Sequence, residues 1–203
     1  MAVLTEPLLN VFLSLRVSAD MLSIVALGCS VLAGVAYFFS AGNSLVLALA
    51  LLFLLLNGLL DGLDGALARK TGTASKYGDF LDHVIDRYAD VFIVCGIFLG
   101  GYLRADLGTL VITGVLLASY LGTQAQAVGV GRIYGGIMGR ADRMVVLMLA
   151  TCVTIVYPAA IGIDDFRFPV LGWALLLIGV LSHFTALQRI RSARRSLLDG
   201  EKK

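Results

Sequence analysis

The chain has little charge: 15% of its 203 residues are Asp, Glu, Lys or Arg, while 59% are hydrophobic and the mean hydropathy is +0.90. That balance excludes a soluble domain of ordinary composition and places the chain in a bilayer. The net charge is only +2, and the basic residues lie in short clusters without a stripe, which excludes a nucleic-acid-binding surface. Cys29, Cys95 and Cys152 sit in separate apolar runs with no CxxC pair, so they read as small buried hydrophobes without a zinc or redox role. The glycines from Gly129 to Gly139 follow no strand and make no dinucleotide loop; they read as a flexible connection that forms a movable edge of a site. No linker, internal repeat or low-complexity segment marks a second domain, so residues 1–203 are expected to form one unit.

What the chain has in abundance is apolar runs long enough to cross a membrane. Six are expected, near Met21–Ser40, Ser44–Leu60, Ile85–Leu103, Leu107–Ala127, Met144–Ile163 and Pro169–Leu187. The first follows Glu6, Arg16 and Asp20 and does not resemble a cleavable signal, so it is expected to remain as a membrane helix. Pro7–Arg16 has the alternation of a short interfacial helix within an interfacial segment 1–20, and residues 188–203 form a basic tail. Arg16, Arg69, Lys70, Lys76, Arg132, Arg140, Arg143 and the tail fall at one set of ends, and only Arg104 and Arg167 at the other. By the positive-inside rule both termini are cytoplasmic. Trp173, Tyr102 and Tyr157 fall near span ends, as an aromatic belt would.

The chemistry is concentrated in Asn57–Asp90. On helices, Asp61 and Asp64 share a face at three residues apart, as do Asp82 and Asp86 at four; Gly65 and Ala68 stay with the first pair and Gly78 with the second. Four carboxylates cannot cluster near a membrane without positive charge among them. Hard divalent ions supply it and share their coordination with phosphates. The small residues admit a bulky ligand, and Arg69 offers a guanidinium fork to phosphate oxygens. Intramembrane acids also serve as helix-to-helix polar contacts or proton relays, with Arg69, Arg87 and Arg143 neutralising them, but such contacts do not require paired acids with small residues between.

The spacing Asp61-xx-Asp64-Gly65-xx-Ala68-Arg69, eight residues, Gly78-xxx-Asp82-xxx-Asp86 resembles the complete signature of the CDP-alcohol phosphotransferases. The resemblance implies an all-α membrane fold of six transmembrane helices behind an interfacial amphipathic helix, and a homodimer. It implies that Asp61, Asp64, Asp82 and Asp86 hold Mg2+ or Mn2+, two ions in all, and that Asp86 is also the general base. Asp61, Asp64, Gly65, Ala68, Arg69 and Gly78 are implied to bind CDP. The activity implied is transfer of a phosphatidyl-like group, diacyl or ether-linked, from a CDP-lipid to a polar alcohol with release of CMP.

Gly139-Arg140-Ala141-Asp142-Arg143 resembles the segment that subfamilies using phosphorylated acceptors carry, and Arg140 and Arg143 are spaced to clamp a phosphate. The run Ser119–Gln126 departs from the arginine-rich segment usual in inositol-phosphate subfamilies, leaving glycerol phosphate and inositol phosphate equally open. His83 and His183 read as structural. The alternatives are an unphosphorylated acceptor such as serine, an ion-coupled transporter, for which the expected repeats or broken helices are missing, and a structural subunit, which would not need four acids.

Overall fold

The computed structural model describes residues 2–133 and 135–200. It contains α1 (Ala2–Ser14), α2 (Ala19–Phe39), α3 (Ser44–Thr71), α4 (Lys76–Leu99), α5 (Ala105–Ala127) and α6 (Arg140–Val156), then a hairpin of β1 (Ile161–Ile163) and β2 (Phe166–Phe168), and finally α7 (Val170–Gly200). The helix starts follow local chemistry. Ser18, Asn43 and Ser75 each turn a side-chain oxygen onto the first free N–H groups of α2, α3 and α4. Gly72, in the left-handed region at φ 70, ends α3, so four residues separate it from α4.

Helices α2, α3, α5 and α7 are long and apolar enough to cross a membrane; α4 and α6 do not meet that measure. Up to Asp90, α4 carries Asp79, Asp82, Asp86, Arg87 and Asp90, and α6 has 17 residues and opens on Arg140-Ala-Asp-Arg143. The fifth expected run, to Ile163, is corrected: the helix stops at Val156, and β1 pairs antiparallel with β2, Gly162 opposite Arg167. Other boundaries move as well. Helix α3 continues past Leu60 through the first part of the signature, Asp61 to Arg69, α4 begins nine residues before Ile85, and α7 carries most of the expected tail as helix, while Lys202 and Lys203 lie outside the described residues.

In a bilayer, helices associate through close packing and hydrogen bonds, since lipid is as apolar as leucine. Accordingly α2 lies along both α3 and α4, and α5 along α7. Gly34 and Gly96 face each other where α2 crosses α4, and a Cβ on either would overlap the opposite backbone. Tyr37, Ile93, Ile97, Val111, Leu171, Leu175 and Ile178 fill the centre. Away from the acidic residues the bundle is joined by hydroxyls: Tyr37 with Thr151 at 2.7 Å and Ser40 with Tyr102 at 2.8 Å. Tyr102 is therefore buried and not part of a belt, whereas Tyr157 and Trp173 are exposed. Cys29 is buried, but Cys152 faces outward.

Candidate active site

The end of the bundle where α3 stops and α4 begins gathers the expected residues. Asp64 is buried; its Oδ2 accepts from Ser23 Oγ at 2.5 Å and its Oδ1 from the Gly65 N–H at 2.5 Å. One turn on, the Arg69 guanidinium folds back over Gly65, where a Cβ would stand 3.3 Å from Nη1. In α4 the Gly78 N–H donates to Ser75 Oγ at 3.0 Å. Asp82, His83 and Asp86 bring one ligand atom each to within 4.8 Å of one another.

The two acidic pairs meet through Arg140. Its Nη1 donates to Asp61 Oδ2 at 2.6 Å and lies 2.9 Å from Asp86 Oδ1, without hydrogen-bond alignment to the latter. Arg143 does not join it there: Nη2 donates to Asp90 Oδ2 at 2.9 Å, and both side chains are 5% exposed. Arg87 is divided between Asp90 at 3.3 Å and Asp86 at 3.6 Å. Sequence reasoning missed Asp90, although Asp82, Asp86 and Asp90 recur at four-residue intervals on one face. His83, read as structural, places Nδ1 3.4 Å from Arg132 and Nε2 3.5 Å from Asp79. His183 is structural, its Nε2 3.0 Å from the Leu110 carbonyl.

Two cavities flank this bridge. One, of about 780 Å³, is lined by Asp61, Asp64, Gly65, Ala68, Arg69, Gly78 and Asp82, and extends to Arg16, Asp20 and Ser23. The other, of about 790 Å³, is lined by His83, Asp86, Arg87, Arg132, Arg140, Arg143 and Arg189, with Ser119, Tyr120, Thr123 and Gln126 from α5. Asp79 borders both. The glycine-rich segment between α5 and α6 is fastened beside the second cavity. The Met138 N–H donates to Thr185 Oγ1 at 3.0 Å, and Arg189 Nε donates to the Gly135 carbonyl at 3.0 Å.

The first turns of α4 precede its apolar stretch, and burial and neighbouring charge shift the ionisation of their side chains. Burial and then Asp61 raise the Asp82 carboxyl above its ordinary value; burial and then Arg132 lower the His83 imidazole. Four carboxylates, bridged between the pairs by Arg140 and with Arg87 3.6 Å from Asp86, form a hard oxygen donor set that fits divalent ions such as Mg2+ or Mn2+.

A model of the CDP-alcohol phosphatidyltransferase family matches residues 16–185. Archaetidylinositol phosphate synthase of Pyrococcus horikoshii is 35% identical over 187 residues, 92% of this chain and 89% of that one. Crystal structures of Mycobacterium tuberculosis phosphatidylinositol phosphate synthase share the fold at TM-score 0.73. The one with CDP-DAG bound is 23% identical, covering 93% of this chain and 92% of its own. The one with manganese and citrate is 24% identical, covering 93% and 88%. The chain belongs to the CDP-alcohol phosphatidyltransferase family. It is a membrane transferase of phospholipid biosynthesis that releases CMP from a CDP-lipid.

Proposed function

We propose that the chain transfers a phosphatidyl-like group from a CDP-lipid in the 780 Å³ cavity to a hydroxyl of an inositol phosphate in the 790 Å³ cavity. The observation that carries this reading is the Asp61–Arg140–Asp86 bridge, which joins the two cavities where donor and acceptor must meet. The acceptor hydroxyl oxygen attacks the lipid-bearing phosphorus, the bond from that phosphorus to the CMP oxygen breaks, and the hydroxyl proton passes to Asp86. Asp61, Asp64, Asp82 and Asp86 would hold Mg2+ or Mn2+, as two ions. When bound, these ions neutralise charge on the diphosphate and the departing CMP. Gly65, Ala68 and Gly78 let the CDP approach the backbone, with Arg69 on its diphosphate.

Arg140 and Arg143 hold the acceptor phosphate. Arg140 Nε and Nη2 are buried without hydrogen-bond partners and are the donors left for it. The hydroxyls and amide of Ser119, Tyr120, Thr123 and Gln126 suit the ring hydroxyls of a polyol. Similarity to the archaeal synthase supports inositol phosphate over other acceptors.

The basic ends support a protein of the cytoplasmic membrane with six crossings and both termini and the site on the cytoplasmic side. Helices α4 and α6 are then crossings too, made tolerable because their innermost charges, Asp86, Asp90 and Arg143, are turned into the protein. The leucines that α3 exposes at Leu45, Leu49, Leu52 and Leu55 offer a face for a homodimer. Purified protein supplied with a CDP-lipid and Mg2+ or Mn2+ should release CMP rapidly with inositol phosphate, and far more slowly with glycerol phosphate, inositol or serine. A faster reaction with any of the other three would overturn the assignment of the acceptor.

A further inference from the structure

Along α7 the outward-facing residues Trp173, Leu177, Val180, Phe184 and Leu187 recur at alternating intervals of four and three, each between 37% and 53% exposed. That rhythm keeps them on one stripe of a helix. The next positions in the same rhythm are Arg191 and Arg194, with Arg195 beside them, and all three are exposed. Gln188, Ser192, Ser196 and Asp199 run along the flank of the helix next to Arg195. The stripe that faces acyl chains therefore passes without a break into a cationic patch.

The height of the patch matches a headgroup. Helix α7 has 31 residues, and about 20 residues cross a hydrocarbon layer of roughly 30 Å, so a helix entering at Val170 leaves the layer near residue 190. Arg191, Arg194 and Arg195 then stand about 2 to 8 Å beyond it, at the level of lipid phosphates. Arg195 has a loose partner in Asp199 at 3.8 Å, with side chains 87% and 66% exposed; Arg191 and Arg194 pair with no acid among the described residues. Arg189, which fastens the segment beside the 790 Å³ cavity, points away from the stripe to Gly135 and Ala118.

We propose that the outer face of α7 is a binding site for one anionic phospholipid of the membrane, its chains along Trp173–Leu187 and its headgroup phosphate on Arg191, Arg194 and Arg195. The site is separate from both cavities and needs neither CDP nor a metal. The lipid is fixed by two complementary matches, apolar stripe to chains and cationic patch to phosphate, which a free anion or a zwitterionic lipid meets only in part.

Native mass spectrometry of the full chain, released from neutral micelles holding equal phosphatidylglycerol and phosphatidylcholine, tests this. Each arginine near the surface contributes about a fivefold preference for anionic lipid, so the wild type should retain phosphatidylglycerol and R191Q/R194Q/R195Q should retain it at least tenfold less. CMP release in neutral detergent should be unchanged, because these residues touch neither cavity; this also shows that the variant is folded. Equal retention by the two proteins overturns the proposal. So does displacement of the lipid by inorganic phosphate at constant ionic strength, which would reveal a site for free anions. If the triple variant is inactive, R191K/R194K/R195K supplies the check: it keeps the charge and should keep the lipid, and loss of the lipid there would also overturn the proposal.

Discussion

The two cavities differ in how the chain builds them. The one holding Asp61, Asp64, Gly65, Ala68, Arg69, Gly78 and Asp82 draws its chemistry mostly from one continuous stretch, two helix ends joined by a four-residue turn. The other takes Asp86 from α4, Ser119 and Gln126 from α5, Arg132 from the connection, Arg140 and Arg143 from α6 and Arg189 from α7. On the proposed assignment the donor half is thus local, and the acceptor half is assembled across the fold. A local half can be kept as a unit while the assembled half is varied one helix at a time.

The largest effects should appear where the cavities share chemistry. Removing divalent ions with a chelator, or changing Asp61, Asp64 or Asp82 to Ala, should lower turnover about a thousandfold or more with every acceptor, because the diphosphate charge is left unbalanced. Full CMP release in a chelator would show that the carboxylates do not act through metal. Asp86→Asn should be nearly as severe, about a hundredfold to ten-thousandfold in kcat, but with CDP-lipid binding largely kept, since what it loses is the place for the proton. If equilibrium binding of the CDP-lipid falls as far as turnover does, Asp86 is chiefly a ligand and belongs with the donor half.

The next effects should separate the two halves. A charge-assisted contact is worth roughly 1.5 to 3 kcal/mol, so Arg140→Ala should raise the acceptor KM about tenfold to a hundredfold and the donor KM by less, through the freed Asp61; Arg69→Ala should raise the donor KM and leave the acceptor KM nearly unchanged. Arg143→Ala carries a second consequence. It strands Asp90, 5% exposed, without its 2.9 Å partner, and breaking a buried pair costs about 3 to 5 kcal/mol. Arg143→Ala should therefore lower thermal stability while Arg69→Ala does not. Equal melting behaviour of these two variants would mean that Asp90 is sufficiently held by Arg87.

The same contrast explains how much the sequence disclosed. The signature positions were legible because helical spacing of three and four residues puts them on common faces before any tertiary contact is known. Arg140 could be singled out as a candidate from its spacing to Arg143, but its place between Asp61 and Asp86 was not legible, because that depends on α6 lying against α3 across 79 residues of chain. Asp90 could have been read from the four-residue rhythm; Arg189 could not, since its partners at Ala118 and Gly135 come from elsewhere in the fold. Hydropathy masked the stop of α6 at Val156 because Ile161 and Ile163 continue the apolar run while pairing with Phe168 and Phe166; the sequence signal for the stop is Pro158, which disfavours helix at the residue before it.

The finest test lies within the acceptor cavity, between the phosphate and the rest of the polyol. Gln126 lines that cavity from the last turn of α5, and its amide can donate and accept at once, as adjacent ring hydroxyls require. A neutral hydrogen bond contributes about 0.5 to 1.5 kcal/mol, so Gln126→Leu should raise the KM for inositol phosphate only about twofold to tenfold, with kcat unchanged. Free inositol binds without the arginines' phosphate contact, so its weaker binding should worsen by the same factor, whereas glycerol phosphate, lacking the ring, should be indifferent. A rise that is equal for inositol phosphate and glycerol phosphate, and absent for free inositol, would place Gln126 beside the phosphate and move the division between charge and hydroxyl recognition from α5 to elsewhere in the cavity.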